Sequence, residues 1–362
     1  MEFIFPELNS FNSLCFVDSK NLLVSKSNRI YIFDLENKSF SFLVNLPCRR
    51  STKCVLKFSI LSRLYRAEII YGIHFYNNNF LVCFENFIYN VDISTKEVKK
   101  VYESLNGRRP LSINVVKSVN SFSDGAYFGE YFSNITRKEV NVFRINFDFS
   151  IQVIHVFSKG IIEHVHSLIY DKYRDCFWIL TGDFDEAAAI WQAKSNFAIV
   201  NKIVGGKQVF RSCVAFPIAD GLLYATDSQY QRNSINLLIF TNGIWNTKFI
   251  FEVNGPVIYG AQYKDKYLFS TAVEGLSFEK PFFHKYLDRK SGPGVIEDFS
   301  HLVFGNYDEG FKTIYKCKKD FLPFILFQFG VITFPTGQNL TNTIFCSPRA
   351  LNIKSKSISF KY

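Results

Sequence analysis

The stretch that decides the fold class covers residues 163–183 and reads EHVHSLIYDKYRDCFWILTGD. It predicts a strand, a tight polar loop and a second strand. Because side chains alternate along a strand, His164 and His166 are expected on one face, about 7 Å apart. The loop turns the chain back, so Gly182 and Asp183 are expected beside the two histidines. Two imidazoles and a carboxylate at one end of a hairpin indicate a site as well as a fold.

The same unit recurs along the chain: an apolar strand, a short polar loop, a second apolar strand ending in a polar cluster, and two further strands. Its other copies cover residues 14–44, 71–84, 112–130, 211–227, 259–271 and 327–360. The clearest spacings are about 40 to 50 residues, which is typical of four-stranded propeller blades. The sequence therefore predicts an all-β chain that forms a single β-propeller of antiparallel blades around a central channel, with seven blades favoured and six the alternative.

The ends of the chain and one long connection complete this prediction. The last copy has three recognisable strands, so we expect Phe3, Ile4 and Phe5 to supply the fourth and close the ring. Closure removes exposed sheet edges, which otherwise invite aggregation. Because no Pro-, Gly- or Ser-rich linker divides the chain, residues 1–362 are predicted to form one domain. Residues 274–308 exceed the needs of a blade connection and are predicted to form an insertion loop over one face.

Composition narrows the choice of partner. Among 362 residues, 41 are Phe and 19 are Tyr. Aromatic side chains fit pleated, half-buried surfaces, although A/T-rich codons explain the bias equally well. The formal charge of +10 suggests a polyanionic partner, but the Lys and Arg residues are scattered and do not interleave with aromatics as in nucleic-acid platforms. We expect a solvated basic surface with an attraction for anionic glycans, and no nucleic-acid partner.

The cysteines and the apolar runs indicate the cellular compartment in which the protein is expected. Eight cysteines stand singly without a Cys-x-x-Cys pair, and Cys176 and Cys213 fall inside apolar strand patterns. This usage is typical of buried free thiols in a reducing compartment. The N-terminal residues lack the basic and apolar regions of a signal peptide, and the longest apolar runs are too short to span a bilayer. We therefore predict a cytoplasmic location and no transmembrane segment.

The repeat alignment gathers charged side chains of both signs at one mouth of the channel. In a propeller the start of each blade's first strand and the end of its second strand share one face of the disc. First-strand starts carry His164, His166, Arg211 and Tyr259, and second-strand ends carry Glu130, Tyr131, Asp183, Asp185, Asp227, Ser228 and Glu274. Arg108 and Arg109 enter the same rim from the preceding loop. Structure alone does not demand this distribution, so it indicates a functional site.

Each of these residue types has more than one interpretation. The histidines can share a metal ion with Asp183, act as general acid or base, or fill the channel neck through hydrogen bonds. Asp183 and Asp227 are either a carboxylate pair for glycosyl chemistry or turn caps. Arg211 either clamps an anionic group or pairs with a neighbouring blade.

Aromatic residues offer stacking surfaces for sugar rings. The candidates are Tyr131, Trp178, Trp191 and Tyr259. Trp178 lies in the middle of a strand and is expected in the core instead. Residues 205–208 contain two glycines but lack the phosphate-loop pattern, so a nucleotide site is not predicted there.

Several of these motifs together resemble the sialidase-like or BNR-type β-propeller proteins encoded among bacterial surface-polysaccharide genes. The resemblance covers residues 105–230 and is carried by Arg108-Arg109-Pro110-Leu111, Tyr127 to Phe132, Asn134, Arg137, His164-Val165-His166, Tyr170 to Asp175, Trp178, Thr181-Gly182-Asp183, Arg211 and Thr226-Asp227-Ser228. The chain has no intact Asp-box turn (Ser-x-Asp-x-Gly-x-Thr-Trp). This departure argues against sialidase activity itself.

The resemblance implies a propeller and an association with glycans. Polysaccharide lyases built on propellers use channel histidines, which His164 and His166 match. The prediction is a carbohydrate-active propeller of surface-polysaccharide metabolism, a glycoside hydrolase, lyase or glycosyl-transfer enzyme, without a metal or other cofactor. The predicted catalytic residues are His164, His166, Asp183 and Glu130, and the predicted binding residues for a glycan or glycan-linked precursor are Arg109, Tyr131, Arg211, Asp227 and Tyr259. The alternative is a non-catalytic scaffold that binds a protein partner in a polysaccharide biosynthesis assembly.

Overall fold

The computed structural model describes residues 4–105, 108–276 and 281–361. Within these residues the chain forms seven antiparallel sheets, six of four strands and one of three. In each sheet every strand pairs with the next strand along the chain. The fold is a seven-bladed β-propeller, which confirms the predicted fold class. The three-stranded sheet is the last one, as the sequence predicts.

The blades are numbered in chain order, and their strands have the following bounds. Blade 1 holds β1 to β4 at Asn12–Phe16, Asn21–Lys26, Arg29–Asp34 and Ser39–Asn45. Blade 2 holds β5 to β8 at Tyr71–Tyr76, Asn79–Phe84, Phe87–Asp92 and Val98–Glu103. Blade 3 holds β9 to β12 at Asn114–Val116, Gly125–Gly129, Val140–Ile145 and Ile151–Phe157. Blade 4 holds β13 to β16 at His164–Asp171, Cys176–Gly182, Ala189–Lys194 and Ile199–Gly205.

The remaining blades follow the same order. Blade 5 holds β17 to β20 at Ser212–Ile218, Gly221–Thr226, Asn233–Thr241 and Ile244–Val253. Blade 6 holds β21 to β24 at Val257–Tyr263, Lys266–Thr271, Phe299–Asn306 and Gly310–Lys318. Blade 7 holds β25 to β27 at Val331–Thr333, Thr343–Arg349 and Ile358–Lys361.

Burial within a blade explains why these sequences form strands. The second strand is covered on both faces, and every residue of β14, which reads CFWILTG, is buried. The fourth strand is largely exposed, and no residue of β16, which reads IVNKIVG, is buried. Doubly covered strands require continuous apolar runs, whereas outer strands tolerate charge. This contrast produces the apolar signal that repeats along the sequence.

In the described ranges, four short α-helices interrupt the strand pattern, and the sequence periodicity did not predict them. They are α1 to α4, at Arg50–Val55, Ser59–Leu64, Phe282–Leu287 and Phe324–Phe327, and two 3-10 turns occupy Pro6–Ser10 and Gln208–Phe210. In the part of the chain that the structure describes, none of the helices has the length and apolar character needed to cross a bilayer.

The chain separates into two compact units. Met1–Glu103 and Tyr259–Tyr362 form the first, and Ser104–Ile258 form the second. The second unit contains blades 3, 4 and 5, and its core includes a cluster of aromatic rings, with the centroids of Tyr127 and Phe177 4.7 Å apart. The predicted single domain over residues 1–362 stays a prediction.

Two predictions about the first unit can be compared with the structure. Residues 274–308 contain α3 and the whole of β23, so the connection between β22 and β23 is shorter than the predicted loop. At the N-terminus, the Ile4 amide donates a hydrogen bond of 2.9 Å to the Ser359 carbonyl oxygen on β27. Phe3, which belongs to the predicted closing strand, lies outside the described residues, and closure by a full strand stays a prediction.

Six of the eight thiols are buried, while Cys48 is partly buried and Cys54 is exposed. All eight cysteines lie among the described residues and all are free. This pattern agrees with the expectation of unpaired thiols.

Candidate functional site

A β-bulge at the start of blade 4 brings the two histidines together. His164 opens β13 and pairs with Gly182, the last residue of β14. The register then shifts between Val165 and Ser167, so that His166 is the extra residue of a bulge, and a bulge redirects the side chain of its extra residue. The ring centroids of the two histidines lie 4.9 Å apart, closer than the roughly 7 Å expected on a regular strand.

Blade 5 repeats this bulge at the corresponding place. The register of β17 against β18 shifts between Ser212 and Val214, which makes Cys213 the extra residue. Its buried thiol lies 3.2 Å from Oδ2 of Asp227 and donates to it. The sequence pattern placed Cys213 inside an apolar strand and missed its contact with a carboxylate.

The hydrogen bonds of the two rings define their tautomers. Nδ1 of His164 lies 2.9 Å from the Phe132 carbonyl oxygen, and Nδ1 of His166 lies 2.9 Å from the Ser212 carbonyl oxygen. A carbonyl oxygen only accepts, so both Nδ1 atoms carry a proton. The two Nε2 atoms face each other at 3.0 Å. Both residues are deeply buried, with 4% and 2% of their surface exposed.

Asp183 sits directly against this pair. Its Oδ1 lies 3.2 Å from Nε2 of His166, 3.6 Å from Nε2 of His164 and 3.0 Å from Nη2 of Arg211. Burial raises the pKa of the Asp183 carboxyl, but the Arg211 guanidinium and the histidine hydrogen bonds outweigh burial and hold that pKa well below its usual range. The side chain is 36% exposed. It is therefore an ionised carboxylate that stands between the histidine pair and solvent.

Arg211 joins two carboxylates of different character. Its guanidinium approaches Asp227, with Nε 3.5 Å from Oδ2, as well as Asp183. Asp227 is only 4% exposed, and burial raises its carboxyl pKa above the usual value despite the nearby Arg211. Environments that separate the pKa values of two carboxyl groups in this way are typical of acid–base sites.

Glu163 supports the Asp183 loop from the other side. Its Oε2 accepts a hydrogen bond of 3.1 Å from the Asp183 amide. Burial raises the pKa of this glutamate, which is 4% exposed. Glu163 belongs to the stretch that decides the fold, yet no role was predicted for it.

Two glycines create the space that the cluster occupies. A Cβ added to Gly182 would lie 2.3 Å from Cε1 of His166, and a Cβ added to Gly129 would lie 2.4 Å from Cβ of Val165. Side chains do not tolerate such contacts, so both positions require glycine. The absence of a Cβ at Gly182 lets the His166 ring lie flat against the chain.

Gln208 is a further residue that the sequence did not single out. Its buried amide donates to the Asp183 carbonyl oxygen at 2.9 Å and to Oδ1 of Asp185 at 2.8 Å. Its carbonyl oxygen accepts from the Ser228 hydroxyl at 2.9 Å. Gln208 thus ties the loop after β14 to the loop after β18. In the sequence, Gln208 could have been noticed by its position at the end of residues 205–208, just before the start of blade 5.

Tyr131 and Glu130 follow β10 and take different directions. The Tyr131 ring lies edge-on to His164, with centroids 4.7 Å apart, and burial raises the pKa of its phenol. Oε2 of Glu130 accepts from the Asn141 amide at 2.8 Å and from its side chain at 2.9 Å. Tyr131 therefore joins the cluster, whereas the Glu130 carboxylate is directed to β11.

The other predicted site residues are placed as follows. Arg108 is exposed and lies near enough to Tyr131 to favour its ionised form, while Arg109 is partly buried. Tyr259, on β21, and Glu274 belong to the first compact unit, whereas the histidine cluster belongs to the second. Their predicted roles stay predictions.

The two tryptophans that were candidates for sugar stacking form hydrogen bonds within their own blade. Trp178 is fully buried and donates to Asp171 at 2.9 Å, which confirms its expected core position. Trp191 is partly buried and donates to the Thr181 hydroxyl at 3.1 Å.

Among the described residues, two donor sets have geometry compatible with a metal ion. They are His164, His166 and Asp183, and the buried set His166, Cys213 and Asp227. In the first set each Nδ1 is held by a carbonyl oxygen, and such a contact orients a histidine ring so that its Nε2 can bind a metal. The Arg211 guanidinium beside Asp183 opposes a further cation at the same place.

Comparison with known proteins identifies the fold. No protein-family model matches the sequence, and no curated protein sequence matches it. The structure is similar to an oligogalacturonate lyase from Vibrio parahaemolyticus, with a TM-score of 0.58 and 13% identity over 97% of this chain and 88% of that chain. A second oligogalacturonate lyase, in complex with manganese, gives 0.51 and 12% over 87% and 80%.

A chain of the mitotic checkpoint complex is also similar, with a TM-score of 0.56 and 9% identity over 99% of this chain and 92% of that chain. At these identities the likeness shows a shared propeller fold and nothing about chemistry.

Proposed function

We propose that the cluster around His164, His166 and Asp183 is a site for glycan cleavage, of the lyase or glycosidase kind, in surface-polysaccharide metabolism. The observation that carries this proposal is the convergence of two imidazole Nε2 atoms on one carboxylate oxygen, at 3.2 and 3.6 Å. Two proteins of similar fold are named as oligogalacturonate lyases, which agrees with the proposal.

The histidine pair supplies a proton at this site. With both Nδ1 protons committed to carbonyl oxygens, two neutral rings would leave two lone pairs facing each other at 3.0 Å. One proton on either Nε2 relieves this repulsion and gives an imidazolium–imidazole pair. Such a pair gives a proton to a leaving oxygen and takes one back, as general acid–base catalysis requires.

Asp183 is the group that meets the substrate. Among the charged members of the cluster it has the exposed side chain, while Arg211 and Asp227 are 6% and 4% exposed. Arg211 already pairs with both carboxylates, so in this proposal it positions Asp183, and the exposed Arg108 with Arg109 faces an anionic group of the glycan. Tyr131 offers its ring beside the same opening. Glu130 stays outside the reacting set because Asn141 occupies its carboxylate.

The experiment compares glycan turnover by the wild type and by two site variants. A panel of uronate-containing and neutral oligosaccharides is incubated with the purified chain, and the products are assayed for unsaturated ends by ultraviolet absorbance and for reducing ends. His166→Ala and Asp183→Asn are each expected to lower turnover by about 100-fold or more. His155→Ala, a matched histidine on β12, should retain activity. Undiminished turnover by His166→Ala would refute the catalytic assignment.

The burial of both histidines favours a second candidate, the non-catalytic scaffold. In that case the cluster is a polar core that shapes a surface for a protein partner. Loss of partner binding by Asp183→Asn, with no glycan turnover by the wild type on any member of the panel, would establish the scaffold.

A further inference from the structure

The connection between blades 1 and 2 is an insertion with an unusual charge. It carries α1 and α2, and residues 49–66 contain six Lys or Arg and no Asp or Glu. Residues 158–163 and 206–211 suffice to join other pairs of blades, whereas this connection runs over residues 46–70, so these helices serve something other than blade closure. This insertion is separate from the histidine cluster and lies in the other compact unit.

The same insertion exposes large apolar side chains. Phe58 is 60% exposed, Ile60 59% and Tyr65 67%, and Leu61 is 39% exposed. Isolated exposed apolar residues are ordinary, but a group of them on one short segment marks an interaction surface. In the sequence, Lys57, Arg63 and Arg66 lie beside them.

Asp320 and the residues after it lie against α2 and add a further exposed apolar side chain. Nη1 of Arg63 on α2 pairs with Oδ2 of Asp320 at 2.7 Å, which places Phe321, 75% exposed, beside α2. The Arg63 guanidinium also lies over the Phe327 ring of α4, 5.9 Å from its centroid. Arg63 thus joins α2 to the segment that contains Asp320 and Phe327. Arg49 forms an ion pair with Glu85.

Several of the other basic side chains lie on α1 and just after it. Arg50, Lys53 and Lys57 are exposed on α1 and just after it. Their long apolar stems and charged ends suit the headgroup region of a bilayer, while Phe58 and Ile60 suit the boundary with the acyl chains. The segment carries no Asp or Glu, so no side chain in it is repelled by an anionic bilayer surface.

We propose that the surface formed by α1, α2 and Phe321 docks the protein on an anionic lipid bilayer. Anionic lipid attracts each nearby Lys or Arg, and the apolar side chains insert into the interface. The binding is peripheral, since the helices are six residues each. The proposal does not depend on the reaction at the histidine cluster.

The experiment is co-sedimentation of the full chain with vesicles of phosphatidylcholine alone or mixed with phosphatidylglycerol, at low and high salt. We expect binding to the mixed vesicles that weakens with salt and little binding to phosphatidylcholine. Lys53→Gln combined with Lys57→Gln should weaken binding about 25-fold. Phe58→Ser combined with Ile60→Ser should weaken it at least as much.

Matched controls come from exposed residues elsewhere. Lys159→Gln with Lys194→Gln removes two exposed charges, and Phe240→Ser with Ile244→Ser removes side chains that are 56% and 60% exposed. Both controls should bind as the wild type does. Absence of binding to the anionic vesicles, or equal binding by the α1–α2 variants and the controls, would overturn the proposal. Tight binding to soluble polyglutamate that Phe58→Ser with Ile60→Ser leaves unchanged would also overturn it, in favour of an acidic protein.

Discussion

The Nε2 atoms of His164 and His166 lie 3.0 Å apart, while each Nδ1 faces a main-chain carbonyl oxygen. Three potential acceptors, the two Nε2 atoms and Oδ1 of Asp183, therefore meet at one point. Arg211 donates to the carboxylate oxygen, but the two Nε2 lone pairs repel each other unless a positive charge lies between them. A proton supplies that charge without displacing Arg211.

We expect the pair to hold a proton and not a divalent cation, because the Arg211 guanidinium lies 3.0 Å from the same carboxylate oxygen. Titration calorimetry with Mn²⁺ or Zn²⁺ should show no stoichiometric binding that depends on His164. Nitrogen NMR of histidine-labelled protein should detect a protonated Nε2 in this pair that disappears in His164→Gln. Stoichiometric metal binding by the wild type, lost in His164→Gln, would contradict the expectation.

Gly182→Ala is expected to disturb the pair through packing alone. The new Cβ would lie 2.3 Å from Cε1 of His166, so the ring must move, at a cost of about 1–3 kcal/mol in the free energy of unfolding. The control is Gly72→Ala on β5, where the nearest atom, Cβ of Leu14, would lie at an ordinary 3.4 Å. Urea unfolding measures both. Equal stability of the two variants would show that the His166 ring is not held as described.

The fold was predictable because its signal repeats. Each blade contributes one doubly covered strand, such as β14, between polar turns, and the period of this pattern identifies a propeller even though each copy is short. The gathering of His164, His166, Asp183 and Arg211 also followed from the repeat, since equivalent positions in successive blades share one face.

The contacts that give this cluster its character were not predictable in the same way. The bulges at His166 and Cys213 break the regular alternation of side chains, and no local sequence signal marks them. Gln208 acts from a 3-10 turn, and the partners of both Nδ1 atoms are main-chain carbonyl oxygens, which every residue has. The helices at residues 50–64 were missed because each spans fewer than two turns.

Glu68 should control the acid stability of the first unit. Burial raises the pKa of Glu68, but Arg349, at 3.3 Å, and Lys356 outweigh burial and hold it below its ordinary value of 4.5. A carboxyl with a depressed folded-state pKa contributes stability above its unfolded-state pKa and loses it as the pH falls through the folded-state value. The contribution is therefore full above pH 4.5 and declines below it.

Glu68→Gln is thus expected to lower the free energy of unfolding at neutral pH by about 2 kcal/mol, because it leaves the partly buried Arg349 and Lys356 without their anion. The difference from the wild type should shrink as the pH falls below 4.5. Urea unfolding over a pH series measures this, and the exposed Glu97→Gln serves as the control. A difference that does not vary with pH would mean that Glu68 acts through its shape and not its charge.

The loop between β13 and β14 is expected to contribute to the stability of the fold and not to glycan turnover. Asp171 is fully buried and accepts from the Trp178 indole at 2.9 Å and from Arg174 at 2.9 Å. Arg174 also donates to the carbonyl oxygens of Ile218 at 3.0 Å and Ala219 at 2.8 Å in blade 5. Asp171 therefore holds the arginine that links blades 4 and 5, at the opposite end of β13 from His164.

Asp171→Asn is expected to lower the free energy of unfolding by about 3 kcal/mol while leaving glycan turnover by the folded protein near the wild-type level. Asp183→Asn should do the reverse, with a large loss of turnover and a smaller change in stability, because its side chain is 36% exposed. A double-mutant cycle with Arg174→Ala should give a coupling energy of about 1–3 kcal/mol with Asp171, and near zero with Asp183. If Asp171→Asn abolished turnover without destabilising the fold, the two ends of the hairpin would share one function, and the division between structural and reacting carboxylates would be wrong.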